Sequence, residues 1–403
     1  LTPAIAFLYS SWHDDPSDPI THKQLEFSMA TLFQQIQINN LTLQNRIVRS
    51  ATWEGMCRPD GGPTPKLIDT YRRLAQGGVG LIVTGFAFVR PEGKQMPGMM
   101  GFHSDDSGVD FQAMTRAVHE AGGRIAVQLV HAGGQTTRAM AGRQPLAPSA
   151  VATAQFPELA AELSATQIAE ITAAFAQGAR RARSWGFDAV QLHSAHGYLI
   201  NQFLSPLTNQ RQDSYGGSRE NRCRFLMEVY QQVRQAVGSD FPVIIKLNGA
   251  DNLEGGLALE DALHAVRWLS AAGIDAIEVS AGTPASGPHS PARTRINRPE
   301  KEAYHLALAG PIKAAAKCPV MVVGGFRSYA VAQQAVGEAG MAAICMSRPL
   351  IREPDLPRRW QAGDLRPAQC ISCNGCFKPG LEEGGIYCVA EKKEREKAAA
   401  VDS

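Results

Sequence analysis

Residues 188–222, DAVQLHSAHGYLINQFLSPLTNQRQDSYGGSRENR, hold one complete unit of an alternating α/β fold. Ala189 to Leu192 reads as a short apolar strand, and Glu220 to Val237 spaces its apolar residues at the three- and four-residue intervals of a helix. Between them Pro206 and the pair Gly216-Gly217 carry the chain through a long loop, and a loop of that length inside a compact domain is usually functional. His193, His196 and Tyr198 fall in the loop just past the strand's carboxyl end, where α/β proteins place their chemistry. Two imidazoles three residues apart can aim donors at one carbonyl oxygen, and a nearby phenol can deliver a proton to a carbon beside it. That constellation suits the reduction of a polarised double bond.

The same strand, turn and helix rhythm recurs on both sides of this unit. Candidate strands are Ile47 to Ser50, Gly80 to Thr84, Ile125 to Leu129, Ala189 to Leu192, Val243 to Leu247, Ala276 to Val279, Val320 to Val323 and Ala342 to Met346. Helix-patterned stretches such as Thr166 to Trp185 and Leu259 to Ala271 lie between them, the former opened by capping residues around Ser164 and closed by Gly186. Eight such units predict an α/β fold of the parallel (β/α)8 TIM-barrel type. A doubly wound dinucleotide fold is the competing architecture, but no G-x-G-x-x-G follows any candidate strand.

The 403 residues are 44% hydrophobic and 19% charged, with a formal net charge of +2, an ordinary globular composition able to bury a large core. No dense basic stripe with interleaved aromatics marks a nucleic-acid surface, and no apolar run reaches the length of a membrane span. The opening LTPAIAFLYS lacks a basic leader, so a cytoplasmic location is expected. Residues 1–28 are expected to be an unstructured extension, residues 29–365 the barrel, and residues 366–403 a cysteine-rich segment ending in a solvated helix around Lys392 to Lys397.

Several barrel positions carry polar side chains where a core strand would favour apolar ones. Ser50-Ala51-Thr52 closes the first strand, Gln128 lies inside the third and Lys246 inside the fifth. A lone strand glutamine is commonly a satisfied structural residue; three such positions converging on one barrel mouth point to a bound heteroaromatic ring with several carbonyls and ring nitrogens. The turns VVGGFRS, Val322 to Ser328, and CMSRPL, Cys345 to Leu350, follow the last two strands, where barrels commonly bind phosphate. Gly324, Gly325 and Arg348 fit that role, although paired glycines also serve simply to turn the chain.

Taken together, the run HSAHGYLINQFLSPLTNQRQDSYGGSRENR, with NRIVRSAT, VQLVHAGG and the GGF and SRP turns, resembles the old yellow enzyme family of FMN-dependent ene-reductases over roughly Leu32 to Asp364. The resemblance implies a barrel with FMN at its carboxyl mouth, reduced by NADH or NADPH and reoxidised by an activated alkene, an enone substrate. It implies that Ser50, Ala51, Thr52, the backbone of Phe86, Gln128 and Lys246 line the isoalloxazine, and that Gly325, Ser347 and Arg348 hold the phosphate. His193 and His196 correspond to the substrate-anchoring pair and Tyr198 to the proton donor. Homo-oligomerisation is a further expectation. A flavin-dependent dehydrogenase or demethylase is the alternative within redox chemistry, and a metal-dependent barrel hydrolase the alternative outside it, though no H-E-x-x-H helix accompanies the histidines.

Cys370-x2-Cys373-x2-Cys376-x11-Cys388 is the second strong signal, since thiolates so spaced can ligate one iron–sulfur cluster or one zinc ion. The run CISCNGCF resembles the [4Fe–4S] ligand run of larger relatives, the dienoyl-CoA reductases and trimethylamine dehydrogenase, so [4Fe–4S] is the expected group. Those relatives continue into a second flavin- and nucleotide-binding region. Other departures are Trp53 after the flavin-lining triplet, Lys246 where an arginine is frequent and Ser347 in place of a common glycine. The loop Gly282 to Glu300 is expected to lid the mouth; its Arg293 and Arg295 could meet an acidic group or simply be solvated.

Overall fold

Eight parallel strands close on themselves in the computed structural model, which describes residues 30–152 and 155–401. The strands are β1 (Ile47–Arg49), β2 (Leu81–Phe88), β3 (Ile125–Val130), β4 (Ala189–Ser194), β5 (Val243–Asn248), β6 (Ala276–Ser280), β7 (Val320–Val323) and β8 (Ala343–Met346). Each pairs in parallel with the next, and β8 pairs with β1 to complete the barrel. The eight anticipated strands are therefore all present. The expected extension at residues 1–28 lies outside the described residues.

Strand periodicity decides what fills the cylinder, because alternate side chains point to opposite faces. Val48, Leu81, Val83, Ala126, Ala189, Ile244, Ala276, Met321, Ala343 and Cys345 share one inner apolar cluster, to which the hairpin Ile36–Ile38 and Leu41–Leu43 adds Ile38, Leu41 and Leu43. Their odd-phase neighbours, such as Ile82, Val127, Val190, Ile245 and Ile277, face outward onto the helices in a second, larger cluster. Two residues on from the inner apolar layer, the same phase reaches Ser50, Gln128, Gln191, Lys246 and Glu278, all buried. The carboxyl end of the barrel is thus a polar layer resting on an apolar one.

The flanking helices begin where the sequence caps them. Ala165–Ser184 starts with a capping box in which Ser164 and Gln167 exchange side-chain-to-backbone bonds of 3.2 and 2.9 Å, and Arg219–Val237 starts at Ser218. Each such cap is worth about 1 kcal/mol. The segment between β4 and that second helix, read as loop, contains a buried helix, Leu199–Leu204. The cysteine-bearing segment packs back on the barrel: Ala368 N–H donates to Arg327 O at 2.8 Å, Ile386 N–H to Glu54 O at 2.9 Å, and a Cβ on Gly380 would stand 2.7 Å from the Trp53 ring. Trp53 is therefore held between Gly55 and this segment. No helix among the described residues is long and apolar enough to cross a membrane.

Candidate active site

β4 extends two residues further than its apolar run, so His193 belongs to the strand and not, as expected, to the loop. The physical reason is that the ladder to β5 continues through the pair Lys246 and His193, polar side chains notwithstanding. His196 and Tyr198 do lie past the strand end. His196 takes φ +62°, an unusual left-handed value for a residue with a Cβ, and that turn brings its ring back toward His193, 5.2 Å between centroids. The Tyr198 ring stands 4.6 Å from His193 and 5.5 Å from Phe86. The structure brings all three expected catalytic side chains together.

Partners absent from the sequence reading fix this turn. His196 N–H donates to Asn248 Oδ1 at 3.2 Å, its carbonyl accepts from Gln135 Nε2 at 2.8 Å, and its Nε2 meets Ser280 Oγ at 2.7 Å. Tyr198 donates its hydroxyl to Gln95 Oε1 at 2.7 Å. His193 Nδ1, by contrast, is buried without a hydrogen-bond partner. Burial, aided by the Lys246 charge, holds the His193 imidazole well below its usual range, and burial with the neighbouring His193, Lys246 and His305 does the same for His196. Burial raises the Tyr198 phenol, against a smaller opposing effect of the Gln95 bond. The arrangement therefore presents neutral imidazoles and a protonated phenol, which is the charge state a hydrogen-bonding anchor and a proton donor require.

Below them runs one buried polar chain. Gln128 Nε2 donates to Gln191 Oε1 at 2.7 Å, Gln191 Nε2 to Glu278 Oε2 at 2.8 Å, and Glu278 Oε1 receives Ser50 Oγ at 2.6 Å and Lys246 Nζ at 2.8 Å. Gln191 and Glu278, which the sequence reading does not single out, each interrupt an apolar strand just as Gln128 and Lys246 do. Ser50 also accepts from Lys246 Nζ at 2.6 Å, and Thr52 Oγ1 lies 2.6 Å from Ser347 Oγ, so the first strand end meets the turn after β8. Ala51 is half-buried against the inner cluster, and Phe86 pairs in register with Gln128. Gln128 Oε1 is buried and unpartnered. A ligand ring bearing an N–H supplies the donor that such an atom lacks.

In the turn after β7, close approach by neighbouring residues gives Gly324 and Gly325 a second reason to be glycine. A Cβ on Gly325, at φ +75°, would stand 2.6 Å from the Tyr304 ring, and one on Gly324 would reach the 303–305 backbone at 3.0 Å. Arg348 is buried and donates to Arg293 O at 2.8 Å and to Asn374 Oδ1 at 2.6 Å. Arg293 lies over the Tyr304 ring at 4.4 Å.

The four cysteines Cys370, Cys373, Cys376 and Cys388 line one small cavity together with Arg348 and Asn374. Left-handed φ values at Ser372 and Asn374, +54° and +60°, wrap the chain around it, and the N–H groups of Ser372 and Gly375 point to Cys370 and Cys373 sulfur at 3.4 Å each. Among the described residues no three His, Cys, Asp or Glu side chains stand at metal-holding spacing, so the thiols share a cavity without being drawn onto a common centre.

Acid stability follows from the buried imidazoles. Burial lowers His131 to about 4 and His305 to about 3, and depresses His193 and His196. Their folded values lie below the unfolded value of about 6.5, so stability present above that pH is lost as the unfolded chain takes up protons. The thermal midpoint should fall as pH drops from about 6.5 toward 4, and His131→Gln should flatten the slope. A midpoint independent of pH across that range would contradict this.

Residues 31–366 match the family described as NADH:flavin oxidoreductase / NADH oxidase. The chain belongs to that family. It is 36% identical over 350 residues to an NADH oxidase of Thermoanaerobacter brockii, covering 86% of this chain and 53% of that protein. Among solved structures, a complex of 2-naphthoyl-CoA reductase superposes with a TM-score of 0.82 at 28% identity, covering 89% of this chain and 56% of that one. An old yellow enzyme homologue from Zymomonas mobilis superposes at 0.74 with 27% identity, covering 87% of this chain and 98% of that one. The chain thus spans about half the length of the T. brockii relative.

Proposed function

We propose that the chain is an FMN-dependent NAD(P)H oxidoreductase that reduces the C=C bond of α,β-unsaturated carbonyl compounds. The observation that carries this is the convergence of two neutral imidazoles and a protonated phenol at the barrel mouth, with His193 Nδ1 and Gln128 Oε1 buried and unpartnered. Both atoms fit a bound ring and a bound carbonyl. Ser50, Ala51, Thr52, the Phe86 backbone, Gln128 and Lys246 would hold the ring; Gly324, Gly325, Ser347 and Arg348 would hold the phosphate. When bound, FMN supplies the hydride that a nicotinamide has delivered to it. His193 and His196 hydrogen-bond the substrate carbonyl and stabilise the enolate charge that develops on it, which makes the β-carbon the better acceptor. Tyr198, fixed by Gln95, gives its proton to the α-carbon.

Anaerobic titration of the FMN-loaded protein with NADH or NADPH should bleach it, and cyclohexenone should restore the oxidised spectrum. Colourless protein that fails to take up added FMN would sink this reading.

For the cysteine cavity the reading is [4Fe–4S], a one-electron carrier, held by Cys370, Cys373, Cys376 and Cys388. The shared cavity and the two N–H groups directed at sulfur support it. Anaerobically purified protein should contain iron and acid-labile sulfide in equal amounts, both removed by Cys376→Ser while FMN stays bound. Stoichiometric zinc with no sulfide would overturn the assignment.

A further inference from the structure

Arg348, in the turn after β8, is buried and has no carboxylate partner among the described residues, whereas the equally buried Arg49, Arg211 and Arg222 pair with Glu54, Asp213 and Asp261. Its two partners are neutral. Nη1 donates to the Arg293 carbonyl at 2.8 Å and to Asn374 Oδ1 at 2.6 Å, and among the described residues Nε and Nη2 make no hydrogen bond. A buried cation without a counter-charge is destabilising, so a guanidinium left uncancelled with free donors is arranged for an anion that arrives from outside.

Asn374 fixes that guanidinium from the cysteine loop, between Cys373 and Cys376. Its backbone takes φ +60°, and its Nδ2 donates to the Ala292 carbonyl at 2.8 Å, so both ends of the amide are engaged. A carboxylate at this position would hold the guanidinium and also cancel its charge; an amide holds it and leaves the charge whole. The turn after β7 is tied across in the same way, with Arg327 donating to Ile296 O at 2.6 Å and to Ala368 O at 2.9 Å.

We propose that Asn374 is a positioning residue for anion binding: it holds the Arg348 guanidinium ready for the phosphate monoester of FMN, which makes the cysteine segment part of the flavin site. This rests on the flavin reading of the barrel mouth. An arginine already fixed gives up little side-chain freedom when it binds, and Asn374 contributes that pre-ordering.

Riboflavin carries the same ring without the phosphate, so the ratio of its dissociation constant to that of FMN isolates the phosphate contact. Fluorescence titration of the full chain, freed of flavin, should give a ratio well above one. Asn374→Gly, which the left-handed backbone accepts, should lower the ratio about tenfold, the loss of one hydrogen bond to a charged group, with riboflavin affinity unchanged. Asn374→Ser, whose side chain is one bond shorter, is the second variant and should give the same loss. Arg348→Met should lower the ratio further, and in that background Asn374→Gly should lower it no more. A ratio unmoved by both Asn374 variants, or an equal loss on top of Arg348→Met, overturns the proposal and leaves the flavin reading standing. A ratio near one in the unmodified protein overturns the proposal through its phosphate contact while the ring site stands, and failure of both flavins to bind sinks the proposal and the flavin reading together.

Discussion

Replacing Tyr198 by phenylalanine should leave flavin reduction by NAD(P)H within a few-fold of the unmodified protein and slow reoxidation by cyclohexenone by about 10²- to 10⁴-fold, the range of a positioned general acid. On the proposed reading the phenol is the one side chain of the three whose loss removes a proton source without removing a carbonyl anchor. Its ring remains packed against His193 and Phe86 in the phenylalanine variant, so the change isolates the hydroxyl. Gln95, left without its donor, is a half-buried residue. Stopped-flow measurement of the two half-reactions separately is the check. Equal slowing of both would remove Tyr198 from its assigned role and point instead to a disturbed flavin site.

The second large effect is expected at Lys246. Its ammonium and the Glu278 carboxylate are 2.8 Å apart with side chains 3% and 0% exposed, in the middle of the polar layer. Removing one member of such a pair leaves the other buried and uncompensated, which costs about 3–5 kcal/mol. Lys246→Met should therefore lower the urea midpoint sharply and lose FMN. Adding Glu278→Gln to it removes the stranded charge while keeping an acceptor for Ser50; with the Gln191 and Gln128 amides turned over, Gln191 Oε1 accepts from the new amide and Gln191 Nε2 donates to Gln128 Oε1, so the double variant should regain most of the stability. It should not regain FMN affinity, because the positive charge beside the ring stays absent. A double variant as unstable as the single one would show that Lys246 matters for packing and not for charge.

Much of this site was legible because chemistry that violates a local rule stands out. Lys246 and Gln128 interrupt apolar strands, and the two histidines and the tyrosine crowd a strand end. Glu278 and Gln191 break the same rule, and applying it to every strand would have found them. Asn248, Ser280 and Gln95 carried no such signal: each is a polar residue near a strand or turn boundary, where polar residues are ordinary, and its role exists only through a partner 52, 84 or 103 residues away. A histidine ending an apolar run reads as the start of a loop, whereas the ladder between β4 and β5 is made by backbone groups indifferent to the side chain and carries His193 within the strand.

By itself the sequence determined the eight strands, their order, the polar mouth and the identity of the three residues gathered there, because strand phase and helix periodicity are local properties of the chain. Only the tertiary structure decided which polar groups are satisfied and which are left facing a ligand, that Arg293 covers Tyr304, that Trp53 packs against the cysteine segment, and that Asn374 meets Arg348. Those are matters of burial and of contact between segments far apart in the chain, and burial is what turns an ordinary imidazole, amide or lysine into one whose charge and partners are fixed.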